Sequence, residues 1–236
     1  MNNINNDYNN LVSFWDKAFE IKEEDKKKVL AEINSEEDYK ELAPSKKQYD
    51  ALLEFKDKKD VLDYGCGSGW ASIIMAKKGI SHIDAVDVSN NSIEMMKLYS
   101  EAFKVSDKIK TFQVDEKWLE NQENEIYDGF FSSNVIDVVP LPMSLDIIKE
   151  SSRILKKGSL VIYSLNYYID PKVMEERGCK VCDKQIYIDG VLRLTSLTDS
   201  EWTDIFKKYF TDINLSYYAW NGEKEERRRL FIMKKN

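Results

Sequence analysis

A glycine-rich loop at residues 60–70 constrains the fold of this chain most; it reads Asp-Val-Leu-Asp-Tyr-Gly-Cys-Gly-Ser-Gly-Trp. A short apolar run, Val61 and Leu62, leads into an acid, Asp63, and a helical pattern begins at Ala71. Glycines at alternate positions allow positive φ angles and remove the Cβ atoms that would hold a ligand away from the backbone. The pattern therefore predicts a strand, a tight loop and a helix that together bind a nucleotide-like ligand.

The residues around the loop narrow the choice of ligand. The glycines are spaced G-x-G-x-G, and the bulky Trp70 follows them. Pyrophosphate-binding loops instead read G-x-G-x-x-G, with a last glycine that allows close helix packing. Asp63 would repel a pyrophosphate but attract an ammonium group. Asp87 ends the next apolar run, where its carboxylate can accept hydrogen bonds from two ribose hydroxyls.

These residues resemble the motifs of the class I S-adenosylmethionine-dependent methyltransferases. The first motif of that family, an acid followed by G-x-G-x-G, resembles residues 63–69, and the acid that ends the second strand resembles Asp87. The resemblance covers roughly residues 55–166. It implies S-adenosylmethionine as the methyl donor, S-adenosylhomocysteine as the product and a Rossmann-like sheet.

The resemblance also implies which residues contact the cofactor. The glycines would cradle the methionine and ribose, Asp87 the ribose diol, Val88 the adenine ring and Asp115 the adenine amino group, with Asn134 beside the methyl group. From the residues alone, the alternative for Asp115 is to cap its own helix, although adenine binding is favoured, and the alternative for Asn134 is a turn residue. The full set of cofactor-binding candidates is Asp63, Tyr64, Gly65, Cys66, Gly67, Asp87, Val88, Asp115, Glu116, Ser132 and Asn134.

The methyl acceptor is less constrained, because in-line transfer from a sulfonium depends mainly on alignment and requires no universal base. Asp137 is a candidate base or cation partner, with helix capping as the alternative. Tyr8, Trp15 and Tyr49 are candidate substrate contacts, with core packing as the alternative. The Asn/Asp-Pro-Pro-Tyr/Phe signature of nucleobase amino-group methyltransferases is absent at residues 132–135, which favours a small-molecule acceptor.

Composition excludes several other classes of partner. The net charge is −7 and the basic runs are interleaved with acids, so we expect no nucleic-acid partner. No apolar run is long enough to span a membrane, and the first residues lack signal-peptide features, so we expect a cytoplasmic protein. Cys179 and Cys182 form a lone C-x-x-C, and His82 is expected to face the core, so no metal site is predicted.

The rest of the chain predicts an α/β fold. Its core is a doubly wound, mostly parallel seven-stranded sheet with an antiparallel last strand. We expect a helical cap over residues 1–50, with a helix start at Ser35, and a methyltransferase-like domain over residues 51–236. Asp189-Gly190 predicts a β-hairpin in an insertion at residues 167–197.

Individual elements follow from local patterns. Expected helices cover Ser45–Phe55, Asn91–Phe103, Lys117–Gln122, Met143–Leu155 with Gly158 as its C-cap, and Asp199–Tyr209 after a capping box at Thr198. Expected strands cover Asp60–Asp63, His82–Val88, Ile109–Val114, Tyr127–Ser132, Ser159–Leu165, Ile213–Trp220 and Leu230–Met233.

Two other functions compete with methyl transfer. A nicotinamide-dependent oxidoreductase would use a similar strand–loop–helix unit, but the glycine spacing and Asp63 disfavour it. A protein that binds the cofactor without catalysis would keep the same motifs.

Overall fold

The computed structural model describes residues 2–20, 22–32 and 37–236. The helix start expected at Ser35 lies outside these residues. The α-helices are α1 (Asn2–Ala18), α2 (Glu23–Glu32), α3 (Lys46–Leu52), α4 (Trp70–Lys77), α5 (Asn90–Ala102), α6 (Leu141–Ile154), α7 (Pro171–Glu176) and α8 (Asp199–Phe206). Two short 3-10 helices cover Asp38–Leu42 and Leu53–Phe55.

Seven strands form the central sheet, in the order β3-β2-β1-β4-β5-β10-β9. These strands are β1 (Asp60–Tyr64), β2 (His82–Asp87), β3 (Ile109–Gln113), β4 (Tyr127–Ser133), β5 (Leu155–Leu165), β9 (Phe210–Tyr218) and β10 (Arg228–Lys235). All neighbours pair in parallel except β10, which is antiparallel to both β5 and β9. The predicted fold class is therefore confirmed.

The strand order reverses between β1 and β4, which are adjacent in the sheet although β2 and β3 lie between them in the chain. Asp63 in β1 pairs with Phe131 in β4 and with Ala85 in β2. A crevice opens at the carboxyl ends of strands where the winding reverses, and doubly wound proteins bind their ligands there. The glycine loop follows β1 directly at this point.

The insertion is larger than the expected hairpin. It forms a separate antiparallel sheet of β6 (Lys180–Cys182), β7 (Gln185–Ile188) and β8 (Val191–Thr195). The β7–β8 hairpin turns at Asp189 and Gly190, both with positive φ. The added strand β6 begins after Cys179, within the C-x-x-C segment.

The insertion sheet holds α1 in place over the carboxyl edge of the central sheet. Tyr187 donates its hydroxyl to a carboxylate oxygen of Asp7, at 3.0 Å. The Arg193 guanidinium lies 4.1 Å from the centre of the Phe14 ring. The insertion sheet is also joined to the central sheet. The backbone N–H of Thr195 in β8 donates to the carbonyl of Asp137, in the loop after β4, at 2.7 Å.

Three local predictions were wrong. Residues 116–121 form turns, not a helix. Gly158 is not a C-cap, because α6 ends at Ile154 and the chain continues directly into β5 with Gly158 inside the strand. His82 does not face the core; its ring is exposed and lies 3.3 Å from an Asp60 oxygen.

Candidate functional site

A cavity of about 280 Å³ lies at the switch point, beneath α1. Tyr8, Leu11 and Trp15 line it from above, at the i, i+3, i+7 spacing that places side chains on one face of a helix. Phe19 continues this surface, and its ring lies close to where a Cβ on Gly67 would stand, 3.2 Å away. The helix therefore forms a roof over the glycine loop.

Most of the residues predicted from the sequence meet in this cavity. Those that line it are Tyr8, Trp15, Asp63, Tyr64, Gly65, Cys66, Gly67, Asp87, Val88, Glu116 and Asn134. Four others do not line it: Tyr49, Asp115, Ser132 and Asp137.

The glycine loop is shaped by close packing as well as by backbone conformation. Gly65 has φ +74°, and a Cβ there would lie 2.2 Å from a methyl carbon of Val135. Gly69 has φ +83°, and a Cβ there would lie 1.5 Å from the Met96 sulfur. The backbone N–H of Gly65 donates to the Val86 carbonyl at 2.8 Å, which fastens the loop to β2. A side chain at either glycine would displace the loop or its neighbour.

Asp87 joins the glycine loop to the start of α5. One carboxylate oxygen accepts from the Gly67 N–H and the other from the Ser89 N–H, both at 2.9 Å. Burial raises the pKa of Asp87, and these backbone donors counteract part of that effect. Each oxygen of an ionised carboxylate has two acceptor positions, so Asp87 retains capacity to accept from a ligand.

Asp63 is a second buried acid in the cavity wall. Its side chain accepts from the Ser72 hydroxyl at 2.6 Å and is 1% exposed. Burial raises the pKa of Asp63 to about 7, and the charge of Asp87 adds to the shift. Among the described residues that line the cavity, none is Lys or Arg. An ammonium group on a ligand would therefore relieve the unfavourable burial of this carboxylate.

Asn134 follows β4 with φ +56°, a left-handed conformation that Asn tolerates better than most residues. Its backbone N–H donates to the Ser164 carbonyl at 2.7 Å. Its side-chain oxygen accepts from the Ser133 hydroxyl at 3.1 Å, while its side-chain nitrogen is buried without a hydrogen-bond partner. The turn thus brings a polar side chain to the cavity wall.

Two of the predicted cofactor contacts, Asp115 and Ser132, do not line the cavity. Asp115 has a hydrogen-bond partner nearby, and Ser132 is buried. The Asp115 carboxylate accepts from the Lys117 N–H at 3.0 Å, at the start of the turns that cover residues 116–121. Glu116, its neighbour, lines the cavity instead. Ser132 is 1% exposed within β4, and its hydroxyl lies behind the cavity wall.

Asp137 does not have the accessibility that a base for the acceptor needs. It is fully buried, and one carboxylate oxygen accepts from both the backbone and the side-chain N–H of Asn166, at 2.6 and 3.0 Å. Burial raises the pKa of Asp137. The carboxylate therefore fastens the loop after β4 to the end of β5, and the expected role in catalysis lacks geometric support.

Tyr49 likewise lies away from the cavity. Its ring packs against the buried cluster on the α4 side of the sheet, with the Lys78 ammonium 5.7 Å from the ring centre. The core-packing alternative therefore describes its position.

Sequence reasoning missed part of the cavity wall. Pro44 and Trp220 line the mouth opposite α1, and the Asn221 N–H donates to the Pro44 carbonyl at 2.8 Å, which joins the two segments. The Arg228 guanidinium lies 3.2 Å from the centre of the Trp220 ring. These segments are 176 residues apart in the sequence, and no local pattern indicates that they meet.

Within residues 2–20, 22–32 and 37–236, no group of three or more His, Cys, Asp or Glu side chains is arranged to hold a metal ion. Cys179 and Cys182 are free thiols. Over the same ranges, no helix combines the length and apolar character needed to cross a membrane.

The sequence around the glycine loop is similar to that of known methyltransferases. Residues 61–158 match a family model described as a methyltransferase domain. A ribosomal protein L11 methyltransferase of Ruminiclostridium cellulolyticum is 28% identical over 150 residues, which cover 62% of this chain and 42% of that protein. A ubiquinone biosynthesis O-methyltransferase of Nitrosomonas europaea is 27% identical over 125 residues, covering 52% of this chain and 51% of that protein.

The chain thus spans about half the length of the curated relatives it matches. Among solved structures, a putative S-adenosylmethionine-dependent methyltransferase from Listeria monocytogenes superposes with a TM-score of 0.60 at 19% identity. The superposition covers 80% of this chain and 97% of that one, which establishes a shared fold.

Proposed function

We propose that the chain is a class I S-adenosylmethionine-dependent methyltransferase and that it methylates a small-molecule acceptor by direct in-line transfer; the match of residues 61–158 to a methyltransferase-domain model supports the proposal. The observation that carries the proposal is the cavity at the switch point. It combines a glycine loop, two buried carboxylates and an apolar roof in one enclosed space.

The chain's own residues fit this methyl donor. Gly65 and Gly67 line the cavity, and a Cβ at Gly65 would collide with Val135 and displace the loop. Asp63 is the group that would pair with the amino group of the methionine moiety, and Asp87 would accept from the ribose hydroxyls. When bound, S-adenosylmethionine supplies a methyl group already activated by its sulfonium. The protein's contribution is to align the acceptor and exclude water.

The roof supports a small acceptor over a macromolecule. Tyr8, Leu11 and Trp15 cover the cavity from above, and the insertion sheet contacts the same helix through Asp7 and Phe14. The acidic, apolar lining favours an acceptor that is neutral or cationic around the reacting atom. Protein acceptors, as in the L11 methyltransferases, are the alternative to test.

The proposal predicts cofactor binding followed by product release. Calorimetry is expected to detect binding of both S-adenosylmethionine and S-adenosylhomocysteine. A screen of amines, phenols, thiols and carboxylates is expected to release S-adenosylhomocysteine with at least one small acceptor. Failure to bind either compound would contradict methyl transfer altogether. Methylation of ribosomal protein L11, with no turnover of small acceptors, would contradict only the choice of acceptor.

The raised pKa of Asp63 predicts a pH-dependent affinity. Only the ionised carboxylate pairs with an ammonium group, and its pKa is about 7 in the ligand-free protein. Affinity for S-adenosylhomocysteine is therefore expected to rise by up to about tenfold per pH unit below pH 7 and to level off above it. Calorimetry between pH 5.5 and 8 measures this slope, and Asp63→Asn is expected to remove it.

Stability serves as the control, because its pH dependence has the opposite sign. An unfolded Asp titrates near pH 4, so the raised folded pKa means that the folded protein holds the proton more tightly. The contribution of Asp63 to the free energy of unfolding is greatest below about pH 4, declines up to about pH 7 and is constant above it. Affinity that declines together with stability as pH rises would contradict the ion pair.

A further inference from the structure

A buried polar cluster, formed by Gln48, Ser133, Ser164 and Tyr218, connects α3 to the cavity wall. Gln48 is fully buried, and its side-chain nitrogen lies 2.9 Å from the Ser164 hydroxyl and 3.2 Å from the Tyr218 hydroxyl. The same nitrogen lies 3.4 Å from the Ser133 hydroxyl. The hydroxyls of Ser164 and Tyr218 also bond to each other, at 2.6 Å.

The position of Gln48 in α3 makes this arrangement unusual. Ser45 caps the helix and accepts from the Gln48 backbone N–H at 3.1 Å, so the sequence has the S-x-x-Q spacing of a capping box. In such a box the Gln side chain returns to the cap residue. Here its oxygen accepts from the Ser45 hydroxyl at 3.4 Å, and its nitrogen points into the core, towards the ends of β4, β5 and β9.

The cluster acts on Asn134 by two routes. On the side-chain route, Gln48 donates to Ser133, whose single hydroxyl hydrogen is then available for the Asn134 side-chain oxygen, at 3.1 Å. On the main-chain route, Gln48 donates to the Ser164 side chain, and the Ser164 carbonyl accepts from the Asn134 N–H at 2.7 Å. The side-chain route fixes the direction in which the Asn134 side-chain amide points, and the main-chain route holds the backbone of Asn134 in place.

The consequence is an unpaired donor at the cavity wall. With the oxygen of Asn134 held by Ser133, its NH₂ group lies on the other side, buried and without a partner. A buried amide N–H without a partner is unfavourable, because the group has lost its hydrogen bonds to water. A ligand atom with a lone pair would remove this cost.

We propose that Gln48 is a positioning residue, which orients the Asn134 amide so that its NH₂ group donates to an oxygen or nitrogen of the methyl acceptor. The inference rests on the proposed function and names the acceptor chemistry more closely. The acceptor would carry a lone-pair atom, such as a carbonyl oxygen or ring nitrogen, near the atom that is methylated. An acceptor without such an atom would leave the Asn134 NH₂ group without a hydrogen-bond partner.

Gln48→Met tests the positioning role, because methionine keeps the length of the side chain and removes its donors. Turnover of a small acceptor is expected to lose at least tenfold in kcat/KM, while the Kd for S-adenosylmethionine stays within twofold. Gln122→Met is the matched control, since the Gln122 amide donates to the Trp118 carbonyl outside the cavity. An unchanged kcat/KM in Gln48→Met, or an equal loss of affinity for S-adenosylmethionine, would overturn the proposal.

Gln48→Glu provides a variant of nearly identical shape. Burial raises the pKa of the introduced carboxyl, which donates while protonated and cannot donate once ionised. Its kcat/KM relative to the unsubstituted protein is expected to decrease as pH rises. A ratio that is constant with pH would overturn the proposal, because a purely spatial role would be preserved by this substitution.

A spectroscopic readout separates this inference from the proposed function. The side-chain NH₂ signals of Asn134, identified by their loss in Asn134→Asp, are expected to shift in Gln48→Met and to stay in place in Gln122→Met. Signals that stay in place in Gln48→Met would refute the positioning role. If the signals shift but neither S-adenosylhomocysteine nor any acceptor binds, the positioning role stands and the methyltransferase function fails.

Discussion

Asp87→Asn is expected to lower the affinity for S-adenosylhomocysteine by about 30-fold, or about 2 kcal/mol, a typical value for hydrogen bonds that involve a charged group. The carboxylate accepts from the N–H groups of Gly67 and Ser89 on its two oxygens. An amide of the same shape accepts with only one of them and turns an NH₂ group towards the other donor. The substitution thus disturbs the glycine loop and weakens the acceptor for the ribose hydroxyls together.

Asp115→Asn is the control for this prediction. It makes the same chemical change in an acid that follows the neighbouring strand, but Asp115 bonds to the Lys117 N–H and does not line the cavity. We expect the affinity of the Asp115→Asn protein for S-adenosylhomocysteine to change by less than about threefold, which is a change of less than about 1 kcal/mol. Calorimetry measures both variants, and thermal unfolding verifies that both are folded. Equal losses would mean that Asp115 contacts the ligand and that Asp87 has no special role.

The sequence predicted the part of the site that is encoded locally. Asp63 and Asp87 end apolar runs, and in a parallel sheet the ends of adjacent strands meet at one edge. The glycine spacing marks the loop for the same local reason, since Gly65, Gly67 and Gly69 all adopt positive φ angles. Each of these residues is recognisable from its immediate neighbours.

The sequence is less informative where partners from distant segments decide the environment of a side chain. Asp137 follows β4 at a position expected for a catalytic residue, yet Asn166 at the end of β5 covers it. Gln48 carries no functional motif, yet Ser164 and Tyr218 bind its amide beside the cavity wall. Trp220 carries no motif either, yet it lines the cavity. No spacing rule within one segment predicts such contacts.

The second large effect is expected at the roof, where Asp16 ties α1 to the start of α5. Its carboxylate accepts from the Ser89 hydroxyl at 2.8 Å and from the Asn91 N–H at 3.1 Å, and the Asn91 side chain donates to the Asp16 carbonyl at 2.9 Å. A carboxylate at a helix N-terminus is also stabilised by the helix dipole. Asp16 therefore holds the roof closed from the side opposite the insertion sheet.

Asp16→Ala is expected to speed the release of S-adenosylhomocysteine by about 10- to 30-fold, which corresponds to the loss of about 1.5–2 kcal/mol of charged hydrogen bonding in the closed state. Stopped-flow displacement measures the rate. Glu20→Ala removes the same charge from an exposed position just beyond α1, and its release rate is expected to be unchanged. Equal rates in all three proteins would mean that the roof does not limit ligand exchange.

Ser89 connects the roof to Asp87, so Asp16→Ala is expected to lower the affinity for S-adenosylhomocysteine as well as to speed its release. The Ser89 hydroxyl donates to Asp16 and its backbone N–H donates to Asp87, so one residue contacts both the roof and the proposed ribose acceptor. It also caps α5, accepting from the Ser92 N–H at 3.0 Å. When the bond to Asp16 is lost, the Ser89 hydroxyl is free to rotate while the helix cap and the Asp87 contact remain. We therefore expect the Asp16→Ala protein to bind more weakly mainly through faster release, whereas Asp87→Asn should also impair the formation of the complex.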